Sequence, residues 1–290
     1  MSNIPQLDFE RVNLLIELAL AEDLADAGDT TSKSVIPADA RARGVLYAKS
    51  DCVIAGLPVA EAVFKKLDPD CEFIYMLRDG DKCPAKTVIA EITGNAVAML
   101  TAERTALNFI QRLCGVATMA NTYAESVKDS SMKVLDTRKT TPGWRNLEKY
   151  AVAVGGASNH RIGLFDRIMI KDNHREMAGM EGSGGILRSV ERARKMYPDL
   201  EIEVEVDTLE EFNEALQSGC EHILLDNMST EMMAEAVRRN QGRAKLEASG
   251  NITIERLPEI AAAGVDFASS GALTHSVKSS DISLDITPLK

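Results

Sequence analysis

After Met132 the chain settles into a repeat, and that repeat limits the folds open to it: a short apolar run ends in a polar residue, and a helical pattern follows. Apolar spacing predicts strands over 201–206, 223–225, 244–247 and 265–268, and helices over 186–196, 209–217, 230–239 and 253–263. From Glu205 to Asp226, Ser249 and Gly271 the strand ends are 21, 23 and 22 residues apart, one βα unit per step. Right-handed βα units in series build a parallel α/β barrel, with its active site at the carboxyl ends of the strands. An open, doubly wound sheet is the competing arrangement, but no G-x-G-x-x-G opens the first unit.

The first part of the chain is built differently. Residues 9–25 read as an amphipathic helix with Val12, Leu15, Ile16 and Ala19 on one face, followed by a turn or helix cap at Gly28-Asp29-Thr30-Thr31-Ser32. Between 42 and 100, Val45, Tyr47, Val53, Phe73, Tyr75, Val88, Ile89 and Ile92 lie in short strand-like runs separated by Gly and Asp. A helix follows over 100–113, Gly115 is expected to break it, and 116–127 resumes as a helix. The expected organisation is an N-terminal α+β domain over 1–115 and a barrel domain over 116–290 that carries most of the site, with the C-terminal tail returning to the first domain.

Charge singles out one stretch. Between Arg138 and Arg175 there are 8 Lys/Arg and 3 Asp/Glu, a local charge of +5 in a chain whose remainder carries −16. A solvated basic face is the plain alternative. Here, however, the cations stand at the ends of apolar runs, beside Thr140-Thr141-Pro142-Gly143 and Asn159-His160, so an anion site is favoured. Two successive predicted strands end in cations, Arg138-Lys139 and Lys171. The later strands end in Glu205, Asp226, Ser249-Gly250-Asn251 and Gly271. Small residues at late strand ends suit a phosphate held by backbone N–H groups. Glu201, Glu203 and Glu205 alternate with apolar residues, which predicts acids pointing into the barrel with Lys139 and Lys171 as partners. Glu201 and Glu203 read as interior ion pairs and Glu205 as a site residue.

Composition excludes other classes. A net charge of −11 argues against nucleic acid as the main partner. The apolar stretch 14–21 is interrupted by Glu17 and too short to cross a bilayer, so neither a membrane span nor a signal peptide is expected. The five cysteines, Cys52, Cys71, Cys83, Cys114 and Cys220, show no CxxC pairing, which reads as reduced cytoplasmic thiols and not as a zinc site.

The stretch Thr137-Arg138-Lys139-Thr140-Thr141-Pro142-Gly143, with Lys149-Tyr150-Ala151-Val152, Asn159-His160-Arg161 and Ile170-Lys171-Asp172-Asn173-His174, resembles the quinolinate phosphoribosyltransferase family. Glu103-Arg104, Glu203-Val204-Glu205-Val206-Asp207, Leu224-Leu225-Asp226-Asn227, Glu247-Ala248-Ser249-Gly250 and Gly271-Ala272-Leu273-Thr274-His275 extend the likeness from about Glu22 to Leu284. Small departures, Cys114 for a frequent Ser and Ala157 for a common Gly, remove no charged group.

The resemblance implies an incomplete, TIM-like parallel α/β barrel behind a smaller α+β sandwich domain. It implies the reaction of quinolinate with phosphoribosyl pyrophosphate and Mg²⁺ to nicotinate mononucleotide, pyrophosphate and CO₂, a step of NAD biosynthesis. Arg104, Arg138 and Arg161 would clamp the two quinolinate carboxylates with His160 and Lys171, Arg104 reaching across a homodimer into the neighbouring site. Glu205 and Asp226 would stabilise the ribose cation or hold metal, which otherwise binds through substrate. Lys139 and Lys171 would balance anionic charge, and Ser249, Gly250, Asn251 and Gly271 would take the 5′-phosphate. Three other readings stay open: a related phosphoribosyltransferase with another acceptor, a Schiff-base barrel aldolase using Lys171, and a non-catalytic phosphosugar-binding protein.

Overall fold

The computed structural model describes residues 4–290. The chain begins with α1 (Phe9–Leu24), α2 (Thr30–Val35), β1 (Arg41–Ala48), β2 (Cys52–Val53), α3 (Leu57–Leu67), β3 (Glu72–Tyr75), β4 (Lys82–Cys83), β5 (Val88–Asn95) and α4 (Ala96–Glu125). Next come β6 (Lys133–Leu135), α5 (Arg145–Val154), β7 (Ile168–Ile170), α6 (Asp172–Met177), α7 (Gly185–Met196), β8 (Ile202–Val206) and α8 (Leu209–Ser218). It ends with β9 (His222–Asp226), α9 (Thr230–Asn240), β10 (Lys245–Ser249), α10 (Leu257–Ala263), β11 (Phe267–Ser269), α11 (Ala272–His275) and β12 (Ile282–Pro288). Two compact units result: residues up to Asn121 with 141–156 and 273–290 form one, and 122–140 with 157–272 form the other. No helix among the described residues is long and apolar enough to cross a membrane.

The first unit holds an antiparallel sheet in the order β12-β1-β5-β3. Its closing strand comes from the far end of the chain and pairs along β1 from Ala42↔Pro288 to Ala48↔Ile282. Alternation along β1 sends Ala42, Leu46 and Ala48 into the core and leaves Arg41 and Arg43 in water. Asp8 caps α1 through Arg11 N, and the helix buries the stripe Val12, Ile16 and Leu20. Gly115 does not break the helix as expected, because α4 runs through it for 30 residues. The glycine instead permits close approach: a Cβ there would lie 2.4 Å from the Lys278 carbonyl oxygen. Glu148 of α5 is fully buried and accepts from Arg112 Nη2 (2.8 Å), Thr141 N (3.0 Å) and Thr141 Oγ1 (2.9 Å). That satisfies a charge that would otherwise be costly to bury.

The second unit is a sheet of six parallel strands in the order β6-β11-β10-β9-β8-β7. β6 and β7 remain its two edges, so the barrel is incomplete. Val204, Val206, Ile223, Leu225, Leu246 and Ala248 are at most 1% exposed, as strands covered by α7–α10 require. Two local expectations need correcting. Helix α10 begins at Leu257 and not at residue 253, because Pro258 occupies its first turn while Gly250 and Asn251 take positive φ before it. Glu201 is not an interior acid: it precedes β8, its side chain is 57% exposed, and it pairs with Arg167 (3.4 Å) and His222 (3.2 Å). Glu203, in contrast, is fully buried.

Candidate active site

The carboxyl ends of the parallel strands surround a cavity of about 640 Å³, a size suited to small-molecule ligands. Arg138 and Lys139 follow β6, Lys171 follows β7, Glu205 lies in β8, and Asp226 and Ser249 end β9 and β10. His160 and Arg161 come from the connection between α5 and β7, and Gly250-Asn251 from the turn after β10. The ends of separate βα units thus bring the cations, carboxylates and small residues of the sequence into one pocket.

One wall is cationic. Arg138 Nε is buried and has no hydrogen-bond partner, an orphan donor of the kind an anionic ligand satisfies. Arg161 donates from Nη1 to the Arg167 carbonyl (3.0 Å), and burial together with the neighbouring Arg138 holds its pKa below the usual guanidinium value. Two guanidinium groups that repel each other make a site for a group carrying more than one negative oxygen.

Carboxylates line the same pocket. Lys171 donates to Glu205. Burial raises the Glu205 pKa, the Lys171 ammonium opposes that rise, and Asp226 reinforces it. Asp226 accepts from Asn227 Nδ2 at 2.8 Å.

The third part is a bent backbone. Asn227 N donates to the Ser249 carbonyl (3.0 Å) and Asn251 Nδ2 to Asn227 Oδ1 (3.3 Å), which ties the turn after β10 to the end of β9. Gly250 has φ +83°, and a Cβ there would lie 2.1 Å from Asn227 Oδ1. Only glycine fits that position, and three successive small or amide residues leave the backbone accessible to a ligand.

Beneath the cationic wall lies a buried group the sequence indicated only in part. Asp136, fully buried, accepts from His160 N (2.8 Å) and Asn159 Nδ2 (2.7 Å). His160 Nε2 lies 3.2 Å from Glu203 and 3.4 Å from Glu247. Glu247 was not among the site candidates, nor were Thr137, Met169, Leu224, Asn227 and Ser269, which also line the cavity. The signal for Glu247 was available: it stands two residues before Ser249 on the same strand, hence on the same face. Two candidates lie elsewhere. Arg104 is exposed on α4 in the first unit, and Gly271, just after β11, is not among the lining residues.

Residues 29–114 match the quinolinate phosphoribosyl transferase N-terminal domain, and residues 116–285 match its C-terminal domain. The chain belongs to the quinolinate phosphoribosyltransferase family. Among quinolinate phosphoribosyltransferase relatives, the chloroplastic carboxylating nicotinate-nucleotide pyrophosphorylase of Arabidopsis thaliana is 41% identical, over 97% of this chain and 84% of the relative. A probable carboxylating nicotinate-nucleotide pyrophosphorylase of Bacillus subtilis is 43% identical over 92% and 90%. The solved nicotinate-nucleotide pyrophosphorylase of Francisella tularensis superposes with a TM-score of 0.91 at 39% identity, covering 98% of this chain and 99% of that one.

Proposed function

We propose that this chain transfers the phosphoribosyl group of phosphoribosyl pyrophosphate to quinolinate, releasing pyrophosphate and CO₂ and leaving nicotinate mononucleotide. The observation that carries this reading is the pairing of Arg138 and Arg161, with Arg138 Nε an orphan donor, in the same pocket as Glu205 and Asp226. Quinolinate has two adjacent carboxylates, and planar guanidinium forks bind such groups bidentately. Lys171 and Lys139 add charge, and His160 supports the wall from beneath. The backbone at Ser249, Gly250 and Asn251, which line the pocket, takes the 5′-phosphate.

As the bond to pyrophosphate breaks, positive charge develops at the anomeric carbon, and the carboxylates of Glu205 and Asp226 stabilise it. The ring nitrogen of quinolinate then donates its lone pair to that carbon. Loss of CO₂ leaves an electron pair on the adjacent ring carbon, which the new pyridinium charge stabilises until a proton replaces the carboxylate. Glu205 and Asp226 supply hard oxygen donors of the type Mg²⁺ takes and would hold it together with phosphoribosyl pyrophosphate. When bound, the ion would offset the negative charge of the pyrophosphate.

The working form we propose is a homodimer in which Arg104 of each protomer completes the neighbouring site. Two observations support it. Arg104 is an exposed cation on α4 of the first unit, and the open β7 edge is flanked by the exposed apolar side chains of Leu164, Phe165, Met177, Met196 and Tyr197. The five free, buried thiols fit a reducing compartment such as the cytoplasm. The Schiff-base alternative is disfavoured because Lys171 is held by Glu205, whereas a nucleophilic lysine needs a neutral amine. The deciding experiment incubates the protein with phosphoribosyl pyrophosphate, Mg²⁺ and either quinolinate or nicotinate. Nicotinate mononucleotide should form from quinolinate alone; turnover of nicotinate, or of neither, would sink the assignment.

A further inference from the structure

The group under the cationic wall contains two buried acids and a histidine whose ring can be read atom by atom. Glu203 and Glu247 are 0% and 1% exposed, and His160 is 8% exposed. His160 Nε2 lies between the two carboxyl groups, while Nδ1 accepts the Arg161 backbone N–H at 2.7 Å. A nitrogen that accepts an N–H cannot also carry a proton. A neutral ring therefore has its proton on Nε2, which lies 3.2 and 3.4 Å from the acids but is not in hydrogen-bond geometry with either. The same logic argues against a metal ion among His160, Glu203 and Glu247, although their ligand atoms lie within 4.8 Å of one another: a metal-bound Nε2 needs its proton on Nδ1.

The charge balance pulls the other way. Burial disfavours an imidazolium and the two carboxylates favour it, which puts the His160 pKa at about 9. Yet an Nδ1 proton would face the Arg161 N–H, so the geometry rejects the charged ring. Arg167 Nη1 lies 3.7 Å from Glu203 and adds positive charge beside the acids.

We propose that Glu203 and Glu247 are positioning residues for the quinolinate clamp. Their carboxyl oxygens, 3.2 and 3.4 Å from Nε2, favour the Nε2–H form of His160 electrostatically, and the freed Nδ1 anchors the Arg161 backbone N–H, so that Arg161 meets the substrate beside Arg138. This inference rests on the quinolinate reading, and it gives His160 a supporting place, since both of its ring nitrogens already face protein groups.

Two measurements test it. Nitrogen-15 spectra of the substrate-free protein, with the His160 signals assigned by their loss in His160→Gln, should show Nδ1 unprotonated and Nε2 protonated at neutral pH. An imidazolium or an Nδ1–H ring would overturn the proposal, and this arm stands even if quinolinate proves not to be the substrate. In the kinetic arm, Glu203→Leu and Glu247→Leu should each raise the quinolinate KM about tenfold or more, the scale of a lost charge-assisted contact. The KM for phosphoribosyl pyrophosphate should stay within about twofold. Glu247→Gln, which keeps an accepting carbonyl in a neutral side chain, should restore most of the quinolinate affinity. If the leucine variants fail to fold, the spectra and Glu247→Gln still decide. A Gln variant as impaired as a loss of Arg161, or parallel changes in both KM values, would reduce the group to a structural support.

Discussion

At the ends of β6 and β7 the pocket presents charge on side chains, Arg138, Lys139 and Lys171, with Arg161 from the adjoining loop; at the ends of β9 and β10 it presents bent backbone around Asn227, Gly250 and Asn251. Both regions suit anions, but they fail in different ways. A guanidinium can be deleted without disturbing the chain that carries it, so its loss is read in affinity for one ligand. The backbone corner has no such side chain to remove, and can be broken only through conformation, which costs stability as well as binding. Glu205 and Asp226 line the same pocket, and in the proposed reaction they serve the chemistry that joins the two ligands.

The largest effect is expected where the two regions meet. Glu205→Ala should lower kcat by about 10²–10³, the range for removing one preorganised electrostatic contact to the transition state. Arg104→Ala should be nearly as inactive, because in the proposed dimer the cationic wall then lacks its third arginine. Mixing the two variants under conditions of subunit exchange should restore roughly a quarter of wild-type activity, from random pairing with independent sites. A mixture that exchanges subunits yet stays inactive would show that the wall is complete within one chain.

Next come the arginines of the wall. Arg138→Ala or Arg161→Ala should weaken quinolinate binding by about 1.5–3 kcal/mol, as for other hydrogen bonds to charged groups. Phosphoribosyl pyrophosphate binding should change much less. Calorimetry with each ligand separates the regions, and equal losses for both ligands would erase the distinction drawn between them.

Gly250→Ala attacks the other region. The substitution strains a left-handed backbone and sets a methyl group against Asn227 Oδ1, which should destabilise the fold by about 1–3 kcal/mol. Weaker binding of phosphoribosyl pyrophosphate should follow, with quinolinate binding spared. Denaturant titration and calorimetry report the two parts separately. A fully stable variant with normal phosphate affinity would remove the backbone corner from the site.

The same contrast explains what could be read before the structure. Arg138, Lys139, Arg161 and Lys171 were legible because a local excess of positive charge in an acidic chain is a one-dimensional signal. The parallel sheet was legible from the regular spacing of Glu205, Asp226, Ser249 and Gly271. Asn227 and Glu247 were not singled out, since an amide and a buried acid gain meaning only from a neighbour elsewhere in the chain: Asn227 from Gly250, Glu247 from His160. Gly115 misled for a related reason. A turn glycine and a close-approach glycine look alike until residues 278–279 are seen to pass beside it. Glu201 shows the limit of alternation, which places side chains on faces but cannot say where the strand begins.

The smallest expected effect is the most specific to the boundary between the regions. Glu205 acts as a carboxylate, and its pKa is raised by burial, lowered by Lys171 and raised by Asp226. Activity is then present above that pKa and lost as pH falls through it, so the acid limb of the kcat profile should lie above the ordinary carboxylate range. The two neighbours push in opposite directions. Lys171→Gln removes the ion pair that favours the charged form, so the limb should move to higher pH. Asp226→Asn removes a like charge, so the limb should move to lower pH. Both variants will lose activity for other reasons, which is why the position of the limb, normalised to each variant's own maximum, is the quantity to compare. Limbs that move together, or not at all, would mean that a group other than Glu205 sets the acid side of the profile, and the junction of the two regions would have to be sought elsewhere in the pocket.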